Sequence, residues 1–296
     1  MIDFVNLYLV PALALGSIYA LGAVGISMIF GILRFAHFAH GDIMTIGAYG
    51  TLTAVWLTGL HPLLALPAGI ALAIAAVLAA DRWCYAPLRQ LPTIYTVISS
   101  FGVALMLRSL AQIVWGSDNQ VYIRGVTPPL VLFDTYRVAL LHAEAIVIVS
   151  AIALALHLFL SRSRTGRAMR AVADDPELAA VAGLDTKRVI RWTWIIGASL
   201  AAVAGVIAGL DTDIHPNMGW NLLLPMFAAT ILGGIGKPMG ALAGGLLVGL
   251  AEELSTYNWI GDDALVSPSY KTAVAFIVMV VLLIFRPQGL FRGRLL

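Results

Sequence analysis

Long runs of apolar residues dominate the chain, and polar residues come in short clusters between them. The runs lie near residues 7–32, 36–58, 62–81, 93–116, 138–160, 190–210, 221–236, 239–256 and 269–286. A helix needs about 20 apolar residues to cross the hydrocarbon core of a bilayer, and most of these runs have that length. They do not alternate apolar with polar positions, so they read as helices and not as the strands of a barrel. Two stretches, near 36–50 and 221–236, are short and carry glycine or polar residues, which suits re-entrant segments as well as spans. The pattern predicts an all-α polytopic membrane protein with eight or nine transmembrane or re-entrant helices.

Composition agrees. Apolar residues make up 60% of the 296, and mean hydropathy is +0.91, against roughly 45–50% apolar in soluble domains. The opening MIDFVNLYLVPALALG has no basic leader region, so it reads as a retained first span. No stretch between runs is long enough for a separate soluble domain. Residues 1–296 are therefore one integral-membrane domain, within which 161–191 stands apart as a polar island. Glycine-rich runs in both halves, GSIYALGAVG and GGIGKPMGALAGG, are compatible with an inverted repeat. Cys84 is the single cysteine, which excludes an intrachain disulfide and any multi-cysteine metal site.

Charge orients the chain. The net charge of +2 says little, but seven of the eighteen Lys and Arg residues fall in the island. Others gather at Arg82 and Arg89 and at Arg286, Arg292 and Arg294. The intervening loops carry Asp118, Asp134, Asp211, Asp213, Asp262 and Asp263, with Arg124 and Arg137. The positive-inside rule places the island and the C-terminus in the cytoplasm. Counting spans backward puts the N-terminus outside if 36–58 crosses.

The island contains a short helix with its own start and stop signals. Asp175 is a good N-cap, Pro176 suits the first helical position, and Glu177 faces the positive end of the helix dipole. Gly183 supplies a left-handed ending, with Leu184 placed for the hydrophobic contact that often follows. The stretch from Pro176 to Ala182 is about two turns, too short to be stable alone. A capped helix held on the cytoplasmic side reads as a handle for another subunit.

Later in the chain, Gly236, Gly240 and Gly244 recur every fourth residue, and Gly245 pairs with Gly249. Glycines one turn apart open a groove that lets another backbone approach. They serve either helix packing within the chain or a bend or dimer face along a transport path. Ile231 stands where a phosphate-binding loop needs its first glycine, and Pro238 where it needs Ser or Thr, so Gly236-Lys237 is not an ATP site. If ATP drives this protein, another polypeptide binds it.

Catalytic constellations are weak. Gly197-Ala198-Ser199 lies mid-helix without a base at a suggestive spacing. His37, His40 and Asp42 lack a clear third ligand and the surrounding hydrogen-bond partners that orient metal ligands, and His142, His157 and His215 sit near span ends. Neither an enzyme nor a bound cofactor is expected, and nothing points to nucleic acid. Ionisable groups inside the membrane are more telling, because they must face protein or water. They are Asp42, Arg108, which snorkelling from its helix end could rescue, and the Glu252-Glu253 pair. Polar groups in or beside apolar spans make Ser17, Tyr19, His40, Asp42, Ser99 and Asn221 the candidate translocation path. Asp42 either borders that path, meeting a substrate ammonium or orienting His40, or caps a helix near Arg34.

Taken together, several stretches resemble a known family: GSIYALGAVGISMIFGILRFAHFAHGD, SRTGRAMRAVADDPELAAVAGLDTKRVI, LGGIGKPMGALAGG and FRPQGLF. The chain looks like a permease subunit of the branched-chain amino-acid ABC importers, over nearly its whole length. Within the island, Glu177, Ala179 and Gly183 match the EAA-xxx-G signature of such permeases, while Leu178 departs from it. Phe38-Ala39-His40-Gly41 fits as well, whereas His37 stands where the family often has asparagine. The resemblance implies an ABC importer permease fold in a bacterial inner membrane. It implies that Asp175, Pro176, Glu177, Leu178, Ala179, Ala180 and Gly183 form a coupling helix to an ATPase subunit. The partners implied are a second homologous permease, two cytoplasmic ATP-binding subunits and a periplasmic substrate-binding protein. Related importers of urea, short amides or aromatic acids form one alternative. An ion-coupled secondary transporter or channel, with Asp42 and Glu252-Glu253 as ion sites, is another.

Overall fold

Eleven α-helices and one small hairpin run through the described residues of the computed structural model, which are 4–123, 125, 130–132, 136–259, 266–286 and 288–291. The charges expected at Arg124, Asp134, Asp262, Asp263, Arg292 and Arg294 lie outside them. Helix α1 (Val10–Leu33) is preceded by a π-helical turn and followed by α2 (His40–Thr58), α3 (Pro62–Ala80) and α4 (Thr93–Trp115). A loop with the antiparallel strands β1 (Leu130–Leu132) and β2 (Tyr136–Val138) leads to α5 (Leu140–Arg162). The polar island forms α6 (Arg164–Asp174) and α7 (Pro176–Val181). Then come α8 (Thr186–Asp211), α9 (Met218–Gly233), α10 (Pro238–Leu254) and α11 (Lys271–Phe285).

Among the described residues six helical stretches are long and apolar enough to cross a membrane: Val5–Leu33, Pro62–Leu88, Thr93–Trp115, Leu140–Arg162, Thr186–Asp211 and Pro268–Phe285. Helices α2, α9 and α10 do not meet that test of length and hydropathy and supplement them, so the predicted eight or nine elements separate into six spans and three further helices. The two stretches singled out as short, 36–50 and 221–236, hold the first part of α2 and most of α9.

Both short helices start inside the bundle. The ring of His40, at the first position of α2, lies against Gly25 of α1. Gly25 is about two turns, or about 12 Å, from the end of α1. The chain therefore turns at Arg34, which takes a left-handed conformation (φ 57°), and re-enters the bundle through residues 35–39 before α2 begins. Ser100 of α4 holds this segment: its Oγ accepts from the Phe38 amide at 3.2 Å. On the other side, residues 212–217 fold back against the last turns of α8, with Ile214 beside Gly209, before α9 begins. The N-termini of α2 and α9 then meet. A Cβ on Gly219 would come within 1.8 Å of the Gly41 carbonyl oxygen, and one on Gly41 within 2.3 Å of the Gly219 oxygen.

Around that meeting the packing of the chain repeats. Helices α1–α4 correspond to α8–α11, with α5–α7 between them, and the packing partners correspond as well. Helix α2 packs on α3, α4 and α8, and α9 packs on α10, α11 and α1. Gly41 and Gly219 occupy equivalent positions. Further along each helix by the same number of residues, Thr51 meets Gly69 of α3 and Ala229 meets Gly244 of α10. The core runs through α1, α2, α8 and the inner faces of α9 and α10, whereas α5 and α11 leave most of their surface uncovered.

The glycines of α10 are divided between two neighbours. Gly240 and Gly244 press on Gly233 and Ala229 of α9, while Gly245 and Gly249 press on Ala20 and Gly16 of α1. An added Cβ at Gly245 or Gly249 would lie 2.3 Å from backbone atoms of α1. Of the two roles expected for this ladder, packing within the chain describes these four. Gly236 does not belong with them. It lies in the turn before α10 at φ +78°, facing Gly31, where the chain needs a left-handed residue.

Candidate functional site: an intramembrane ion pair and a capped helix of the polar island

Each helix of the island is capped by a side chain. Ser163 accepts from the Gly166 amide at 2.8 Å to start α6, and Asp185 from the Arg188 amide at 3.0 Å to start α8. Asp175 Oδ1 accepts from the amides of Glu177 and Leu178, both at 3.0 Å, and starts α7. A cap of this kind is worth about 1 kcal/mol. Helix α7 ends one residue earlier than expected, at Val181. Its ending has paired bonds, from the Leu184 amide to the Ala179 oxygen and from the Gly183 amide to the Ala180 oxygen, each 3.0 Å, with Gly183 at φ +84°. This is the Schellman arrangement, which satisfies carbonyls the helix would otherwise leave open.

Helix α7 buries Ala179 and projects Leu178 and Val181 outward, at 66% and 87% exposure. Beneath it, α6 turns Gly166, Met169 and Val172 inward. Gly166 is a glycine because a Cβ there would lie 2.4 Å from the Phe159 carbonyl oxygen of α5. The island is thus tied to the membrane bundle through α6, and α7 is its outward edge.

Within the bundle, the candidate path residues sit in separate surroundings. Asp42 is almost fully buried in the first turn of α2 and is held from α4. Arg108 Nε donates to Oδ1 at 3.0 Å and Nη2 to Oδ2 at 3.2 Å, while the guanidinium carbon lies 4.8 Å from the Trp220 ring centre of α9. The cap expected of Asp42 near Arg34 is absent: Ala39 occupies the N-cap position, and the carboxylate is committed to Arg108. Arg108 in turn is paired, where snorkelling was the expectation. A carboxylate on a neighbouring helix neutralises its charge in place, so the side chain need not reach the interface.

His40 lies between α2 and α1, with no hydrogen bond from either ring nitrogen to a side chain and none joining it to Asp42. His37 is part of a buried aromatic group. Its Nε2 is 3.1 Å from the Tyr85 hydroxyl, and its ring centre is 5.0 Å from that of Trp194. Tyr19 Oη donates to Glu252 Oε2 at 2.7 Å, joining α1 to α10. Glu253 is paired with Lys271 at 3.0 Å. Ser17 turns its hydroxyl to the Leu13 carbonyl of its own helix. Ser99 is half-buried and Asn221 is exposed on α9. The buried serine that contacts another segment is its neighbour Ser100, which holds residues 36 and 38 of the re-entering chain. Sequence reasoning missed Ser100 and Trp220, and it left Arg108 without its partner. For Arg108 a signal existed, since an intramembrane cation demands a carboxylate, but the hydropathy pattern does not say which.

The helical arrangement has a fold also seen in a solved ABC transporter chain. It superimposes on a chain of a metal-chelate type ABC transporter solved in an inward-facing conformation, with a TM-score of 0.53 at 17% identity, over 96% of this chain and 88% of that one. At that identity the likeness shows the fold alone. The family is shown by sequence. The family model of the branched-chain amino acid transport system permease component matches residues 8–283, and the chain belongs to that family. It is 33% identical over 296 residues to the high-affinity branched-chain amino acid transport system permease protein BraD of Pseudomonas aeruginosa, covering 95% of this chain and 94% of that protein. It is 35% identical over 289 residues to the high-affinity branched-chain amino acid transport system permease protein LivH of Escherichia coli K12, covering 93% and 92%.

Proposed function

We propose that this chain is the permease half of an ABC importer that carries branched-chain amino acids inward, and that α7 is where ATP-binding subunits engage it. The observation carrying the coupling role is the geometry of α7. Six helical residues are closed by a side-chain cap at one end and a Schellman ending at the other, yet they present Leu178 and Val181 to solvent. A helix this short is stable only in context, and its exposed apolar pair suits a cleft on a partner. Residues Asp175, Pro176, Glu177, Leu178, Ala179, Ala180 and Gly183 build that handle. The cargo is drawn from family membership and from the transport systems to which the two relatives belong. A second homologous permease, two ATP-binding subunits and a periplasmic substrate-binding protein complete the assembly, with ATP bound by the partners. The C-terminus lies on the cytoplasmic side with the island.

Force applied at α7 reaches the bundle through α6, which is seated on α5 and also touches α1 and α8. Of these, α8 packs on α2 and α1 packs on α9, and a rigid-body shift of the two sets of helices where α2 and α9 meet would change which side of the membrane the interior faces. The test is uptake by the complete complex in proteoliposomes. ATP-dependent uptake of leucine, isoleucine and valine is expected. Movement of urea or an aromatic acid but not these, or uptake that persists without the ATPase subunits, refutes the reading. Gly183→Val forces a β-branched side chain into the left-handed region, at a cost of a few kcal/mol. It should reduce uptake at least tenfold while the chain still inserts, and normal coupled uptake in an intact assembly would rule out α7 docking.

A further inference from the structure

Where the cytoplasmic ends of α1, α5 and α6 meet the turn before α10, the protein forms a half-open cavity of about 410 Å³, within the range of about 300–1,000 Å³ typical of ligand sites. No residue of the ion pair or of α7 lines it. Its walls are mostly apolar, with Met28, Leu160 and Met169 prominent. Its two cations are Arg170 of α6 and Lys237 of the turn, both exposed. Among the described residues the ion pairs are Arg89–Asp81, Arg108–Asp42, His142–Asp211 and Lys271–Glu253, and none of them takes Arg170 or Lys237.

Two further features point to a ligand with a negative head. Helix α10, 17 residues long, opens onto the cavity with no side-chain cap, because Lys237 at its N-cap has no acceptor to offer. The positive end of a helix dipole with open amides is a ready site for an anion. Ser27 of α1 is fully buried, lines the same cavity, and its hydroxyl has no hydrogen-bond partner among the described residues. A buried hydroxyl without a partner is costly, so it marks a place where an acceptor is missing.

The vertical order of these groups selects among anions. Arg170 and Lys237 belong to elements at the cytoplasmic surface. Ser27 lies nearly two turns, or about 9 Å, before the end of α1, inside the membrane zone. A ligand filling the cavity therefore needs a charged head at the interface, a hydrogen-bond acceptor a few ångströms deeper, and an apolar tail. We propose that this cavity binds an anionic phospholipid of the cytoplasmic leaflet. Its phosphate lies between Arg170, Lys237 and the start of α10, an ester carbonyl accepts from Ser27, and an acyl chain lies along the apolar wall. Basic pockets between membrane helices on the cytoplasmic side have the charge such lipids require.

The test uses the complete transporter complex in a neutral detergent, titrated with short-chain phosphatidylglycerol or with phosphatidylcholine of the same chains. Thermal unfolding and native mass spectrometry read the binding. Phosphatidylglycerol is expected to raise the unfolding midpoint and to be retained, and phosphatidylcholine to do neither. Replacing both surface cations (Arg170→Gln with Lys237→Gln) should weaken phosphatidylglycerol at least about tenfold, the scale of losing one charge-assisted hydrogen bond. Ala173→Phe fills the cavity while keeping the charges and should abolish retention. Arg164→Gln with Lys187→Gln removes as much charge from the same face but outside the cavity, and should change nothing. Equal stabilisation by the two lipids, unchanged affinity in the Arg170 and Lys237 double variant, or full protection by inorganic phosphate or glycerol 3-phosphate alone would each overturn the proposal. The last result would make the site one for a free anion.

Discussion

Helices α2 and α9 are the same device built twice with different chemistry. Each follows a long span, re-enters the bundle through a short non-helical segment, and begins at a glycine that touches the other's backbone. The residues that follow these two glycines differ. Asp42 follows Gly41 and binds Arg108, whereas Trp220 follows Gly219 and covers the face of that arginine. Backbone geometry is thus shared by the two repeats, and the charge belongs to only one. The difference shows that the glycines answer to the crossing itself, a steric requirement that both helices share. The ion pair has no counterpart at the start of α9, where Trp220 stands in the place of Asp42.

The comparison breaks most readily at the crossing. Gly41→Val or Gly219→Val would drive a branched side chain into the opposing carbonyl, and each should cost more than about 3 kcal/mol and block assembly. Milder Gly41→Ala and Gly219→Ala variants should lower the unfolding temperature by similar amounts, since the clash is reciprocal. Gly102→Ala is the control, because nothing lies within 4 Å of a Cβ there, and it should not destabilise the chain. Unequal effects at Gly41 and Gly219 in detergent-solubilised protein would show that α2 and α9 do not begin in equivalent surroundings.

Next in size is the charge. Asp42→Asn leaves Arg108 without its carboxylate in a largely buried site, which typically costs about 3–5 kcal/mol. Adding Arg108→Gln should restore much of that stability, so a thermal-unfolding double-mutant cycle should show strong coupling. Transport should remain impaired in the double variant if the pair serves the transport cycle. Full uptake by the stable double variant would make the pair a structural tie only. The smallest effect belongs to the start of α9. Trp220→Phe keeps an aromatic face under Arg108 and should cost about 1 kcal/mol or less, with modest loss of uptake. A larger loss than that of Asp42→Asn would reverse the ranking of the two repeats.

Local physics made much of this protein readable from its amino-acid order. Hydropathy placed the membrane segments, because crossing a bilayer is a demand each helix meets alone. The start of α7 at Asp175 and its ending at Gly183 were legible for the same reason, since caps are made by residues a few positions away. The stretches that carry the family resemblance were legible too. Tertiary structure alone decided what depends on partners far along the chain. The sequence marks Asp42 and Arg108 as expensive in a membrane, but only packing joins them across 66 positions. It shows a ladder of glycines after residue 235, but only the fold assigns Gly240 and Gly244 to α9, Gly245 and Gly249 to α1, and Gly236 to a turn. Ser99 and Ser100 are indistinguishable by composition, and the rotation of α4 selects the second. Periodicity and capping act over one or two turns of chain, whereas rotation, register and pairing are set by the surfaces that helices present to one another.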